Sequence, residues 1–344
     1  MKALVLNGPG HPFSLETIPD PIPESGEAVV KVITCGAGLT IQHVKAGRAK
    51  VDYPRIIGHE ITGIIEAVGE DVSNVLIGDP VTAYFYLTCG NCKWCRLDRE
   101  MLCENFGGYI GRACDGGYAE FMKLPAHNFL KLPEELAWKS YPAEAGVITD
   151  AIATPLKVVR HANIQAGETV AVFGAGGGLG IHMLMLAKWA HASVIAVDIA
   201  GEKFDACRRA GADECINPRE GHALEALKDL SRGGIDVAID FVSSQETLET
   251  AVQCLGRGGR MVTLGGSGVS FSAHAPTMLE KELVLMGCRY ATRKEVIKAL
   301  DLCARGDFWP LVTETTNMAG AEALHERIEQ GLITGRAAIL MNDI

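Results

Sequence analysis

The segment from Thr169 to Asp198 constrains this chain more than any other. A β-branched apolar run, Thr-Val-Ala-Val-Phe, leads into Gly174-Ala-Gly-Gly-Gly-Leu-Gly180, then an apolar stretch of helical spacing from Ile181 to Ala190, then Ser193-Val-Ile-Ala-Val-Asp198. Strand, glycine turn, helix and strand make one βαβ unit, which requires a parallel sheet with helical crossovers. Without side chains, Gly176, Gly177, Gly178 and Gly180, with Leu179 between them, let backbone approach a pyrophosphate while N–H groups at the helix start face its charge. Asp198 is placed to accept from ribose hydroxyls and to repel a 2′-phosphate, and Ile199 beside it brings no compensating cation, so NAD is expected rather than NADP. The spacing departs from Gly-x-Gly-x-x-Gly, because alignment on Gly180 puts Ala175 at the first glycine position.

The remainder of the chain must accommodate that unit. Residues 1 to about 140 alternate short β-rich runs with Gly/Pro turns, as in Glu27–Ile33, Ile61–Val68 and Gly117–Met122, which predicts a compact β barrel. From about Tyr141, helical segments alternate with buried strands such as Gly234–Val242 and Arg260–Gly266, the pattern of a doubly wound parallel sheet. The closing run Arg336–Met341 is expected to rejoin the first domain. With 344 residues, 48% of them hydrophobic, two domains are expected. A net charge of −10 without any basic cluster argues against a nucleic-acid surface. Neither a signal peptide nor an apolar run near the ~20 residues of a membrane span is seen, so a cytoplasmic protein that does not engage membranes is expected.

Eleven cysteines in such a protein read as metal ligands and buried thiols before disulfides. Cys89, Cys92, Cys95 and Cys103 form a C-x2-C-x2-C-x7-C array, and four thiolates in one short loop suit a closed, structural zinc site. The rival is an iron–sulfur cluster, but the last interval is longer than in bacterial ferredoxins and no proline follows Cys103. A second constellation is dispersed: Cys35 ends a strand and Gly58-His59-Glu60 precedes the next. Thiolate, imidazole and carboxylate around a metal with one position open is the design of a catalytic zinc.

Over its whole length the chain resembles the zinc-dependent medium-chain alcohol dehydrogenase family. The residues that carry the resemblance are Cys35, Gly58-His59-Glu60, Gly78-Asp79-Pro80-Val81, the cysteine lobe 89–103, Gly116-Gly117-Tyr118-Ala119-Glu120, the Gly174–Gly180 turn, Asp198 and Gly335-Arg336-Ala337. The resemblance implies an α/β protein: a GroES-like β-rich catalytic domain over 1–148 and 287–344, with its zinc lobe at 89–103, and a Rossmann domain over 149–286. The active site would lie in the cleft between them. It implies a third catalytic ligand from the start of the cofactor domain, for which Asp150 is the first choice and Glu144 the second. Glu60 would sit beside the zinc or serve as an occasional ligand. Lys203 would approach the ribose and Arg336 the pyrophosphate, while Thr154, Phe241 and Leu264 would border the nicotinamide. Phe85 and Tyr86 would lie near the substrate. Two zinc ions per chain, NAD and a homodimer or homotetramer are implied.

The activity so implied is reversible NAD-linked oxidation of a primary or secondary alcohol to an aldehyde or ketone, with zinc lowering the pKa of the substrate hydroxyl. Here the chain departs from the family, because Ala37 stands where the relay hydroxyl is usual and Thr40 where the relay histidine is usual. Thr40, His43 one turn further, or Glu60 with water are the candidates to carry the proton. Two other readings remain open: a zinc-independent quinone or enoyl reductase of the same superfold, and a non-catalytic NAD-binding protein.

Overall fold

The structure, a computed structural model, describes residues 1–231, 233–266 and 268–343. Contacts divide the chain into two compact units, Met1–Ala153 with Ala291–Ile344, and Thr154–Tyr290. No helix among the described residues is long and apolar enough to cross a membrane.

The first unit is built on a mixed sheet whose strands run in the order Phe129–Lys131, Pro80–Ala83, Ile61–Val68, Glu27–Ala37, Arg336–Leu340 and Val312–Asn317, with Phe121–Pro125 also pairing Glu27–Ala37. Glu27–Ala37 is the organising strand. Almost every residue in it is buried, and its centre carries Val29, Val30, Val32 and Ile33, β-branched side chains that suit a pleated surface packed on both faces. The closing strand pairs antiparallel with it, Ala337 opposite Ala37 and Ile339 opposite Cys35. The chain's last strand is therefore a neighbour of one of its first.

The second unit is a six-stranded, wholly parallel sheet ordered Glu214–Ile216, Ser193–Val197, Thr169–Phe173, Ile235–Asp240, Leu255–Thr263 and Val284–Gly287. The strand order reverses between Thr169–Phe173 and Ile235–Asp240, the switch point at which such sheets bind ligands. Helix Gly180–Trp189 is apolar nearly all round because it is buried nearly all round.

The contact units end a few residues beyond the boundaries expected from sequence. The first crossing falls after Ala153 and not after residue 148, inside a helical run that begins as a π-helical turn, Ile148–Ile152. Asp150 therefore belongs to the first unit and not to the start of the second. The return falls after Tyr290 and not after residue 286, because Val284–Gly287 must complete its pairing with Leu255–Thr263 before the chain can leave the sheet.

Candidate active site

Three segments remote in sequence meet through strand register. Cys35 lies opposite Ile61 on one side and Ile339 on the other, which brings His59 and Glu60, just ahead of Ile61, against the thiol. Gly36 N–H donates to the Glu60 carbonyl at 2.8 Å. A Cβ on Gly58 would sit 2.8 Å from Cys35 Sγ, and one on Gly117 3.0 Å from it. Both glycines are needed for that close approach. Asp150 arrives on the π-helical turn, a form that recurs at functional sites. Gly146 permits this, since a Cβ there would meet the Glu60 carbonyl oxygen at 2.8 Å.

His59, Glu60 and Asp150 are all buried and offer ligand atoms within 4.8 Å of one another; Cys35, the other ligand expected from sequence, is buried on the neighbouring strand and is not one of that group. Glu144 lies in the first turn of the helix Pro142–Val147, outside that group. Arg336 closes the cluster: its Nη2 is 2.8 Å from Asp150 Oδ2 and 3.0 Å from Glu60 Oε1. Burial nonetheless outweighs this cation, and with Asp150 pressing the same way it pushes the Glu60 carboxyl up to about 8. Burial likewise lowers His59 to about 4, against the pull of Asp150 and with help from Arg336 and Arg112. The ring is neutral near pH 7, as a metal ligand must be. Cys35, buried beside Glu60, has its thiol pushed well up. One buried atom of the group fits a bound cation: Glu60 Oε2 has no hydrogen-bond partner, an arrangement that is costly unless a donor or a positive group faces it. A thiolate, an imidazole and carboxylate oxygens form a donor set suited to zinc.

Beside the cluster lies a recess of about 10 Å³, lined by Thr40, Ile57, His59, Phe85, Ile110 and Arg112 among others, roughly the space of one water. Thr40, at the start of the helix Leu39–Lys45, reaches this recess. His43, one turn on, is held below its ordinary pKa by partial burial and by Arg48. Phe85 stacks on His59 with ring centroids 3.9 Å apart and on Tyr109 at 5.0 Å. Tyr86 packs edge-on against Phe85 and Tyr109.

The cysteine lobe forms a second, separate group. Its neighbouring sulfurs lie 3.5 to 4.0 Å apart, as in the 3.5 Å pair Cys92–Cys95 and the 3.5 Å pair Cys89–Cys103, and all four fall within 4.8 Å of one another. Backbone N–H groups led by that of Asn91 pull the Cys89 thiol below its ordinary range, favouring the thiolate form that binds metal.

In the second unit the glycine turn is held by Asp198, whose Oδ2 accepts from Gly176 N–H at 2.8 Å and whose Oδ1 accepts from Ala200 N–H at 2.9 Å. Only glycine fits at Gly180, where a Cβ would sit 2.1 Å from the Gly174 carbonyl oxygen. Lys203 is buried against Gly176, whose Cβ would meet Lys203 Cδ at 2.6 Å. A cavity of about 510 Å³ opens at the carboxyl ends of the strands, lined by Phe173, Val197, Asp198, Ile199, Arg219 and Thr247 among others, a size suited to a nucleoside. Thr154 is buried, and Phe241 and Leu264 are half-buried after their strands.

Comparison with known proteins accounts for both units. Residues 24–134 match the alcohol dehydrogenase GroES-like domain and residues 178–305 the zinc-binding dehydrogenase domain. An alcohol dehydrogenase of Geobacillus stearothermophilus is 34% identical over 348 residues, covering 100% of each chain. The chain belongs to the zinc-dependent medium-chain alcohol dehydrogenase family. The GroES-like and Rossmann architecture is that of its relatives: the alcohol dehydrogenase of the archaeon Aeropyrum pernix superimposes with a TM-score of 0.91 at 30% identity, covering 99% of this chain and 100% of that one. The family also reaches other chemistry, since an acryloyl-coenzyme A reductase of Metallosphaera sedula is 30% identical over 98% of this chain and 99% of its own.

Sequence reasoning missed two features of these sites. It placed Arg336 near a pyrophosphate and gave no hint that it bridges Glu60 and Asp150, because strand pairing alone sets that contact. It passed over Arg112 and Arg219, single cations in loops, where neither period nor motif marks a residue.

Proposed function

We infer that this chain is a zinc-dependent, NAD-linked alcohol dehydrogenase, acting on a primary or secondary alcohol and its aldehyde or ketone. One observation carries the reading: a neutral histidine and two carboxyl groups, His59, Glu60 and Asp150, converge in one buried group whose Glu60 Oε2 is left unpartnered, with Cys35 one strand away. In this reading Cys35, His59 and Asp150 hold the catalytic zinc with Glu60 in reserve, and Cys89, Cys92, Cys95 and Cys103 hold a structural one. Zinc bound at the first site supplies the Lewis acidity that lowers the pKa of a substrate hydroxyl.

The chain's own groups do the rest. Phe85 stacks on His59 and holds its ring in one plane. Arg336 pairs with both Asp150 and Glu60 and so holds the two carboxyl groups side by side. Thr40 takes the substrate's proton at its Oγ1 and passes it outward, which replaces the missing serine–histidine relay. The Gly176–Gly180 turn holds the dinucleotide phosphates, Lys203 supports the ribose, Asp198 orients its hydroxyls, and Thr154, Phe241 and Leu264 border the ring. The net reaction is alcohol plus NAD⁺ giving carbonyl compound, NADH and a proton.

A second reading, reduction of a conjugated thioester, draws support from the acryloyl-coenzyme A reductase similarity. Metal analysis of the purified protein and of an Asp150→Ala variant, with an alcohol panel and NAD, separates the two. The dehydrogenase reading expects two zinc ions per chain falling to one, with alcohol oxidation lost in the variant. One zinc in both proteins, or activity that survives chelation, overturns it.

A further inference from the structure

Arg112 stands apart from the other arginines near the ligand group. It lines the same recess as His59 and Thr40, yet its Nε is buried without a hydrogen-bond partner, and among the described residues no carboxylate pairs with it. The nearest acid in sequence, Asp115, is committed elsewhere, to Arg55 at 3.0 Å and to the Ile56 N–H at 3.1 Å. Its guanidinium carbon lies 4.7 Å over the ring of Tyr109, Tyr109 stacks on Phe85, and Phe85 stacks on His59. The cation is thus held at the end of an aromatic column that begins at a proposed zinc ligand. Among the described residues lining the recess it is the one cation, and the wall around it is apolar, with Ile57, Ile110 and Phe85.

An arginine fixed in an apolar wall with an unmet donor costs stability unless something completes it. The planar fork matches a carboxylate, which accepts two parallel N–H bonds. A phosphate is less suited, since no second cation faces it here. We propose that Arg112 makes this enzyme selective for short hydroxycarboxylates and their oxo-acid products, whose carboxylate lies within a few carbons of the reacting oxygen. This rests on the dehydrogenase reading and narrows its substrate class. The reaction balances as before: the hydroxyl-bearing carbon gives hydride to NAD⁺, the hydroxyl proton leaves, and the carboxylate is unchanged.

The test is steady-state kinetics of the zinc-loaded protein with NAD on matched pairs, 1-propanol against 3-hydroxypropanoate and 2-butanol against 3-hydroxybutanoate, for wild type, Arg112→Leu and Arg112→Lys. We expect wild type to favour the hydroxy acid in kcat/KM by about 10- to 100-fold, the range of a hydrogen-bonded charge pair. Arg112→Leu should erase that preference while raising kcat/KM for the neutral alcohol, and Arg112→Lys should restore part of it. Propanoate should inhibit wild type competitively and the leucine variant far less, an effect that mere loosening of the Tyr109 column would not produce. Oxidation of neutral alcohols with no carboxylate preference, or equal losses on both classes in Arg112→Leu, overturns the role of Arg112 and leaves the dehydrogenase reading standing. No NADH from either class overturns that reading as well.

Discussion

Arg336 Nη2 lies 2.8 Å from Asp150 Oδ2, both side chains buried, and the same nitrogen reaches Glu60 Oε1 at 3.0 Å. Removing one partner of a buried charge group leaves the others uncompensated, at a cost of about 3–5 kcal/mol. Arg336→Met should therefore destabilise the metal-free protein by that order in urea unfolding. Zinc at the neighbouring ligands supplies positive charge of its own, so the loss should shrink when the protein is metal-loaded. An equal loss in both states would show that Arg336 acts on packing alone.

His325, on the helix Ala321–Glu329, makes two buried hydrogen bonds, one to the helix Leu39–Lys45 and one to Tyr118. Its Nδ1 is 2.7 Å from Gln42 Oε1 and its Nε2 is 2.9 Å from Tyr118 OH. An amide oxygen only accepts, so Nδ1 carries the proton and Nε2 accepts from the tyrosine. Burial, with Lys45 nearby, lowers this histidine from 6.5 to about 3. A depressed folded pKa means that its stabilisation is present above pH 6.5 and is lost as pH falls toward 3. The wild-type protein should lose about 1.4 kcal/mol per pH unit from this group across that window. His325→Gln should unfold more easily at pH 7 but with a shallower pH dependence, and parallel curves for the two proteins would refute the assignment.

Asp198 and Arg219 line one cavity, and in the proposed reading the carboxylate is the element that opposes a 2′-phosphate there. Asp198→Gly should raise the NADP-to-NAD ratio of kcat/KM by about 100-fold, the scale of a charge-assisted hydrogen bond gained and a repulsion removed. Adding Arg219→Ala to that variant should cancel most of the gain. A gain that survives the second substitution would place the phosphate elsewhere.

The cysteine lobe gives a stoichiometric prediction. Cys92→Ser breaks a four-thiolate group whose sulfurs lie within 4.8 Å of one another, so bound zinc should fall by one per chain. The lobe around Trp94 and Phe106, which packs on those sulfurs, should become protease-sensitive, because closed zinc sites supply folding energy directly. Iron and sulfide in the purified wild-type protein would instead support the cluster alternative.

Sequence alone determined whatever depends on neighbours along the chain. The Thr169–Asp198 unit was legible because strand, turn and helix each follow a local period, and because positions such as Gly180 are fixed by contacts a few residues away. The cysteine lobe was legible for the same reason, its four thiols lying within one loop. Cys35, His59 and Asp150 were recognisable only through family resemblance, since nothing local joins them. Tertiary structure decided the rest. Strand register sets Arg336 against Glu60 and Asp150, a π-helical turn assigns Asp150 to the first unit, and an aromatic column carries Arg112 to the recess at His59. A buried cation is placed by segments that pair across more than a hundred residues, and no local period of the sequence encodes that distance.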